Sequence, residues 1–223
     1  LERWVSGGAL GWAFDGDTDL IDFDRRIAAV DPTALLTDQV VMPPLAAYLL
    51  HRANAVMDGR RAVLWADEFR AYLPDARFAR GFEDFALTGR KKNWSLCVAT
   101  QQPEHILDHP IGPSLVGQCK TRVLCRNPDA RPGPYRDGLG CTAREFKAVS
   151  QDMLAGPHSV LIKREERSVL CRFDLSALPQ HIAVLSGTER SVRLLRDVIA
   201  RVGTDDPAMW IEEFRRRLPE AAA

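Results

Sequence analysis

Two acids stand side by side at the end of a short apolar run: Val63, Leu64, Trp65 and Ala66 lead into Asp67 and Glu68. Such a run reads as a buried strand whose tip delivers the carboxylates to the edge of a sheet. Asp67 can hold magnesium there through water, because magnesium keeps much of its hydration shell. Glu68 can orient or deprotonate a water that attacks a γ-phosphate. This is the Walker B pattern. The same arrangement also occurs without function, as a strand end with solvated acids.

The next apolar run, Ser95 to Thr100, ends in Gln101. If the two strands are neighbours, Gln101 faces the same crevice as Glu68. A neutral amide there can bridge the lytic water and the γ-phosphate and so report nucleotide state. The plainer alternative is a helix N-cap by Thr100 with Gln101 solvated. Between the two runs, Gly89, Arg90, Lys91, Lys92 and Asn93 close a helix. Cations there complement the helix dipole; alternatively, Arg90 reaches a phosphate in its own site or in a neighbouring subunit's. His105 and His109 have the four-residue spacing of a helical metal pair, and also that of ordinary helix-surface polarity.

Two motifs are absent. Gly-x-x-x-x-Gly-Lys-[Ser/Thr] does not occur, and the glycine-rich segment at Gly7, Gly8 and Gly11 has no lysine. No Gly-x-Ser-x-Gly elbow occurs, which disfavours an α/β-hydrolase. The segment from Leu1 to Trp4 reads as mid-protein sequence. The expectation is an incomplete nucleotide site whose phosphate cradle lies upstream, so that the chain alone binds ATP weakly or not at all.

The elements that must position these residues alternate. Helical patterns cover Pro43 to Met57, about Asp75 to Lys92, and Glu104 to Cys119. Strand candidates are 27–31, 61–66, 95–100 and 121–125. Residues 7–16 are turn-like and 127–140, rich in proline and glycine, read as a loop. Thr142 and Glu145 fit a capping box. A hairpin is predicted with strands at 159–163 and 168–173, and two amphipathic helices close the chain near 188–201 and 207–218. Short, continuous apolar strands alternating with helices predict an α/β fold with a mostly parallel sheet covered on both faces. Ligands then sit at the carboxyl ends of the strands.

Composition excludes several classes. The 223 residues are 46% apolar and 27% charged, a globular balance. Thirty basic residues against thirty acidic ones give no net charge, so bulk electrostatics points to neither nucleic acid nor an anionic membrane. No apolar run has the roughly 18 residues of a membrane span. Five cysteines without a Cys-x-x-Cys pair argue against zinc. Cys97, Cys125 and Cys171 read as buried reduced thiols, which points to the cytoplasm.

In order along the chain, the blocks Gly7–Asp15, Asp58–Glu68, Gly89–Asn93, Val98–Gln101, Tyr135–Phe146, Leu161–Lys163, Asp174–Ser176 and Ala183–Gly187 resemble the C-terminal ATPase domain of the CagE/TrbE/VirB family, the large ATPases of type IV secretion and conjugation. The resemblance spans nearly the whole chain, and its specific part is Arg-Lys-Lys-Asn followed by Ala-Thr-Gln. It implies a RecA-like P-loop NTPase fold over residues 1–175, with a helical segment at 176–223. It further implies ATP and magnesium as cofactors. Asp67 would be the Walker B aspartate and metal holder, Glu68 the catalytic glutamate, Gln101 a sensor, and Arg90 a further catalytic cation. Partners would be copies of itself, as a hexamer, and other secretion components, at the cytoplasmic face of the bacterial inner membrane. The segments Phe69-Arg70, Trp94 and Gln102 to His105 depart from the family pattern. The function implied is ATP hydrolysis that energises secretion and pilus assembly. Two rivals are a DNA-translocating pump, with Arg90 to Lys92 or Arg122 to Arg136 along the DNA path, and a scaffold that never hydrolyses nucleotide.

Overall fold

The computed structural model describes residues 2–19, 21–23, 25–35, 38–155 and 158–222. The chain divides into two compact units, Leu1–Gly156 with Val160–Leu170, and Pro157–Ser159 with Cys171–Ala223.

In the first unit, α1 (Gly11–Phe14) and α2 (Met42–Ala55) precede β1 (Ala62–Ala66). Pro43 and Pro44 sit in the first turn of α2, where their missing N–H groups are not needed. A 3-10 turn (Phe69–Tyr72) leads to α3 (Ala76–Thr88), a second 3-10 turn (Gly89–Lys92) and β2 (Trp94–Val98). Asp75 caps α3 by accepting from the Arg77 and Phe78 amides at 3.0 and 2.9 Å. Phe78, Ala79, Phe82 and Phe85 then fall on one buried face. The face meets Phe69, whose ring stands edge-on to Phe82 with centroids 4.9 Å apart. β1 and β2 run parallel, with Ala62 opposite Trp94 and Ala66 opposite Val98.

The helix expected over 104–119 is two, α4 (Glu104–Leu107) and α5 (Gly112–Gln118). Pro110 breaks it, because the residue before a proline avoids helical geometry. The corner is tight: a Cβ on Gly112 would lie 2.1 Å from the Ile106 carbonyl oxygen. β3 (Thr121–Cys125) does not extend the parallel pair. It pairs antiparallel with β4 (Ser159–Arg164), which turns through Glu165 into β5 (Arg167–Arg172). Among the described residues there are thus two small sheets, one parallel pair and one three-stranded with an antiparallel β3–β4 pair, rather than one mostly parallel sheet. α6 (Ala143–Ser150) opens with the expected capping box, both halves present. Glu145 in that box also meets Lys163 of β4, at 3.1 and 3.2 Å, where both side chains are buried.

Other expectations change. Residues 27–31 form no strand, and Ile27 is exposed. The loop at 127–140 contains a wide helical turn, Gly133–Gly138, that buries Tyr135. β1 is covered on one face only: Val63 and Trp65 share the other face and are 62% and 64% exposed. Cys125 is exposed because it falls on the outward side of the alternating β3. Cys141 is the buried thiol, and burial pushes the thiols of Cys97, Cys119 and Cys141 up, away from reactive thiolates.

The second unit holds α7 (Pro179–Leu185), α8 (Glu189–Val202) and α9 (Pro207–Ala222). α8 begins at a Thr188–Ser191 capping box and ends at Gly203, whose φ of 78° favours glycine. Leu194, Val198 and Phe214 form its core.

Candidate functional site

The carboxyl ends of β1 and β2 are tied by backbone hydrogen bonds that continue past the strands. The Ala99 amide donates to the Ala66 carbonyl and the Phe69 amide to the Ala99 carbonyl, each at 2.9 Å. Asp67 and Glu68 lie within this ladder, and both are exposed. Glu68 adopts left-handed backbone geometry, φ 46° and ψ 45°. For a non-glycine residue that costs about 1 kcal/mol or more. The fully buried Phe69 ring next along the chain holds the turn in place, and its burial contributes roughly 1.5–3 kcal/mol.

The turn points the Glu68 side chain at Gln101, whose Nε2 donates to Glu68 Oε1 at 2.9 Å. Asp67 accepts from the Glu68 amide through Oδ1, also at 2.9 Å. Its second oxygen takes no hydrogen bond among the described residues. The phenol of Tyr72 is pushed up, first by burial and then by the charges of Asp67 and Asp31. The structure therefore brings Asp67, Glu68 and Gln101 together.

It does not bring Arg90 to them. Arg90 lies in the 3-10 turn before β2, at the amino ends of the strands, where Asn93 closes the turn and donates to the Gly59 carbonyl at 2.8 Å. There it lines a shallow cavity of about 440 Å³ with Arg61, Asn93, Trp94 and Ser95. Five-residue strands separate the two edges by roughly 16 Å at about 3.3 Å per residue. Arg90 thus cannot reach a phosphate beside Glu68 of its own chain, which removes one of its two expected phosphate-contacting readings.

Thr100 is no N-cap. Pro103 precedes α4, and no side chain caps that helix. Instead the Thr100 hydroxyl lies 3.1 Å from His105 Nδ1, and His105 Nε2 lies 3.3 Å from Arg70 Nη1. Both imidazole nitrogens are engaged by protein, and the described residues contain no cluster of three metal-ligating side chains. His109 accepts weakly from the Ile111 amide at 3.4 Å. Arg122 is also committed, its guanidinium donating to the carbonyls of Leu139 and Val116 at 3.0 and 3.1 Å. Sequence reading missed Arg70, Thr100 and His105 as a group; the signal lay in their positions, two residues past Glu68, one before Gln101 and four after it.

The donor set suits magnesium better than a closed metal cage. One exposed carboxylate with a free oxygen, next to a second acid, matches an ion held by one or two carboxylates, waters and substrate phosphates.

No family model matches the chain. Among curated proteins, it is 48% identical over 221 residues to protein virB4 of Agrobacterium fabrum strain C58, covering 99% of this chain. It is 37% identical to type IV secretion system protein PtlC of Bordetella pertussis over 230 residues, covering all of it, and 33% identical to type IV secretion system protein virB4 of Bartonella henselae over 217 residues, covering 97%. In each case the chain spans 28% of the relative's length. The mixed α/β architecture, with acids and an amide at the carboxyl edge of a parallel pair, is compatible with part of a P-loop NTPase. The chain belongs to the VirB4/CagE/TrbE family, as a segment of it.

Proposed function

We propose that this chain carries the Walker B half of a RecA-like motor domain, part of a protein that hydrolyses ATP to energise type IV secretion or conjugative transfer. The 2.9 Å hydrogen bond between Gln101 and Glu68, at the tips of adjacent parallel strands, carries the reading. Asp67, with one carboxylate oxygen free of hydrogen bonds among the described residues, would hold hydrated magnesium. Glu68 orients the attacking water and accepts its proton, with the lone pairs of the carboxylate aimed by the left-handed turn. Gln101 holds Glu68 until nucleotide is present and can then turn its amide to the γ-phosphate. Bound magnesium supplies charge neutralisation on the phosphate oxygens. The phosphate-binding loop comes from elsewhere in the longer protein, as the relatives' greater length permits.

Self-assembly into a hexamer, contact with other secretion components and a station at the cytoplasmic face of the inner membrane belong to the same proposal. No helix among the described residues is long and apolar enough to cross a membrane. The DNA-pump alternative loses one candidate contact, since Arg122 is spent on backbone carbonyls.

The test uses the full-length protein. Glu68→Gln keeps the shape and removes the base. ATP affinity is expected to persist while turnover falls roughly a hundredfold or more, in the range of a lost general base. Unchanged turnover with secretion intact would support the non-hydrolysing scaffold instead.

A further inference from the structure

The hydrolytic reading leaves one group of side chains without a role. Arg70 follows Glu68 by two residues, and His105 lies on α4; Thr100 and Gln102 stand on either side of Gln101. They form one chain of contacts. Arg70 Nη1 is 3.3 Å from His105 Nε2, His105 Nδ1 is 3.1 Å from Thr100 Oγ1, and Thr100 Oγ1 is 3.4 Å from the Gln102 carbonyl oxygen.

Donor and acceptor chemistry fixes the direction of every proton in this chain. A guanidinium only donates, so His105 Nε2 must be the accepting lone pair. The ring is then neutral and carries its proton on Nδ1, which donates to Thr100 Oγ1. The Thr100 hydroxyl proton is left for the Gln102 carbonyl. The chain therefore starts beside Glu68 and ends by gripping both neighbours of Gln101. A doubly protonated ring would turn a donor toward Arg70 and break the first link. Glu104, next to His105 on α4, is a further charge near the ring and pairs with Arg131 at 2.8 Å.

We propose that neutral His105 is a positioning residue that holds the Gln101 segment in register with Glu68 through Arg70 on one side and Thr100 on the other. The inference rests on the hydrolytic reading of Glu68 and Gln101. The His105 ring contacts Arg70 and Thr100 rather than Glu68 or Gln101; it acts by restricting where the Gln101 amide points. Because Gln101 serves the hydrolytic step, loss of the tie should lower kcat and spare nucleotide affinity.

The test measures ATP turnover of the full-length protein, with Glu68→Gln run alongside. His105→Leu removes both ring contacts and should lower kcat roughly five- to tenfold, about the worth of one ordinary hydrogen bond, with KM within about twofold. His105→Gln places an acceptor and a donor at the spacing of the two ring nitrogens and should restore most of the rate. In a Gln101→Ala background, His105→Leu should change kcat little, because the residue it positions is gone. Thr100→Val, nearly isosteric, should reproduce the His105→Leu loss and serves if His105→Leu folds poorly. The proposal is overturned if His105→Leu leaves kcat unchanged, if Gln does not rescue, or if the loss persists in full without Gln101. If Glu68→Gln itself turns over normally, the hydrolytic reading fails. If Glu68→Gln is inactive and His105→Leu is normal, only the positioning role fails.

Discussion

The buried pair of Glu145 and Lys163 allows a prediction with an unequal outcome for its two partners. Glu145 is 6% and Lys163 4% exposed. The carboxylate accepts from the Lys163 ammonium at 3.1 and 3.2 Å, from the Thr142 amide at 2.7 Å, and from Ser168. Among the described residues the ammonium hydrogen-bonds only to Glu145. Glu145→Ala therefore strands a buried cation with no other hydrogen-bond partner among them, a change that costs about 3–5 kcal/mol. Lys163→Met leaves an anion that still has two donors and can take up a proton. Its cost should be lower, about 1–3 kcal/mol. Glu145→Leu with Lys163→Met removes both charges and should recover most of the loss, apart from about 1 kcal/mol for half of the capping box.

The assay is urea unfolding of the 223-residue chain followed by circular dichroism, with slopes compared to confirm the same transition. A Glu145→Ala loss below about 1 kcal/mol, or a Lys163→Met loss larger than it, would refute the reasoning. The same pair sets an acid limit. Burial would raise the Glu145 carboxyl, but the Thr142 amide, Ser168 and Lys163 outweigh it and hold it below 4.5. A depressed folded value stabilises above the unfolded one, so stability should be full above about pH 5 and fall as pH drops through and below 4.5. Glu145→Gln should flatten that fall.

Two further outcomes follow from the geometry. Gly112→Ala should cost about 2–4 kcal/mol in the same unfolding assay, because the new Cβ meets a backbone oxygen that cannot swing away; a neutral effect would mean that the α4–α5 corner is looser than described. Calorimetry of the 223-residue chain with magnesium and ATP should detect little or no binding, since no residue run in it supplies a glycine-lysine phosphate cradle; robust binding would contradict the division of the site proposed above.

Local chemistry was the legible part of the sequence. β3 was readable to the residue because a short apolar run ends at Cys125 and the proline- and glycine-rich segment from Asn127 follows it. The capping box at Thr142 was readable because its two halves are three residues apart. The meeting of Glu68 and Gln101 was readable because each ends a strand and one helix separates the strands. What sequence missed depends on three-dimensional position. Chain order already put Arg90 ahead of its strand, but the family motif that suggested a phosphate contact takes no account of which sheet edge that is. The run at 27–31 is too short for periodicity to separate strand from exposed coil. β3 looked like the next parallel strand because its composition says nothing about its partner, which lies some forty residues on in β4.

The central claim is that Glu68 and Gln101 act as one unit on nucleotide. The most direct measurement is ATP turnover by the full-length protein carrying Glu68→Gln, Gln101→Ala, and both together. A shared role predicts that the double change is no slower than Glu68→Gln alone, so the two losses do not multiply. Losses that multiply in full, or a Glu68→Gln protein that hydrolyses ATP at the unmodified rate, would contradict it.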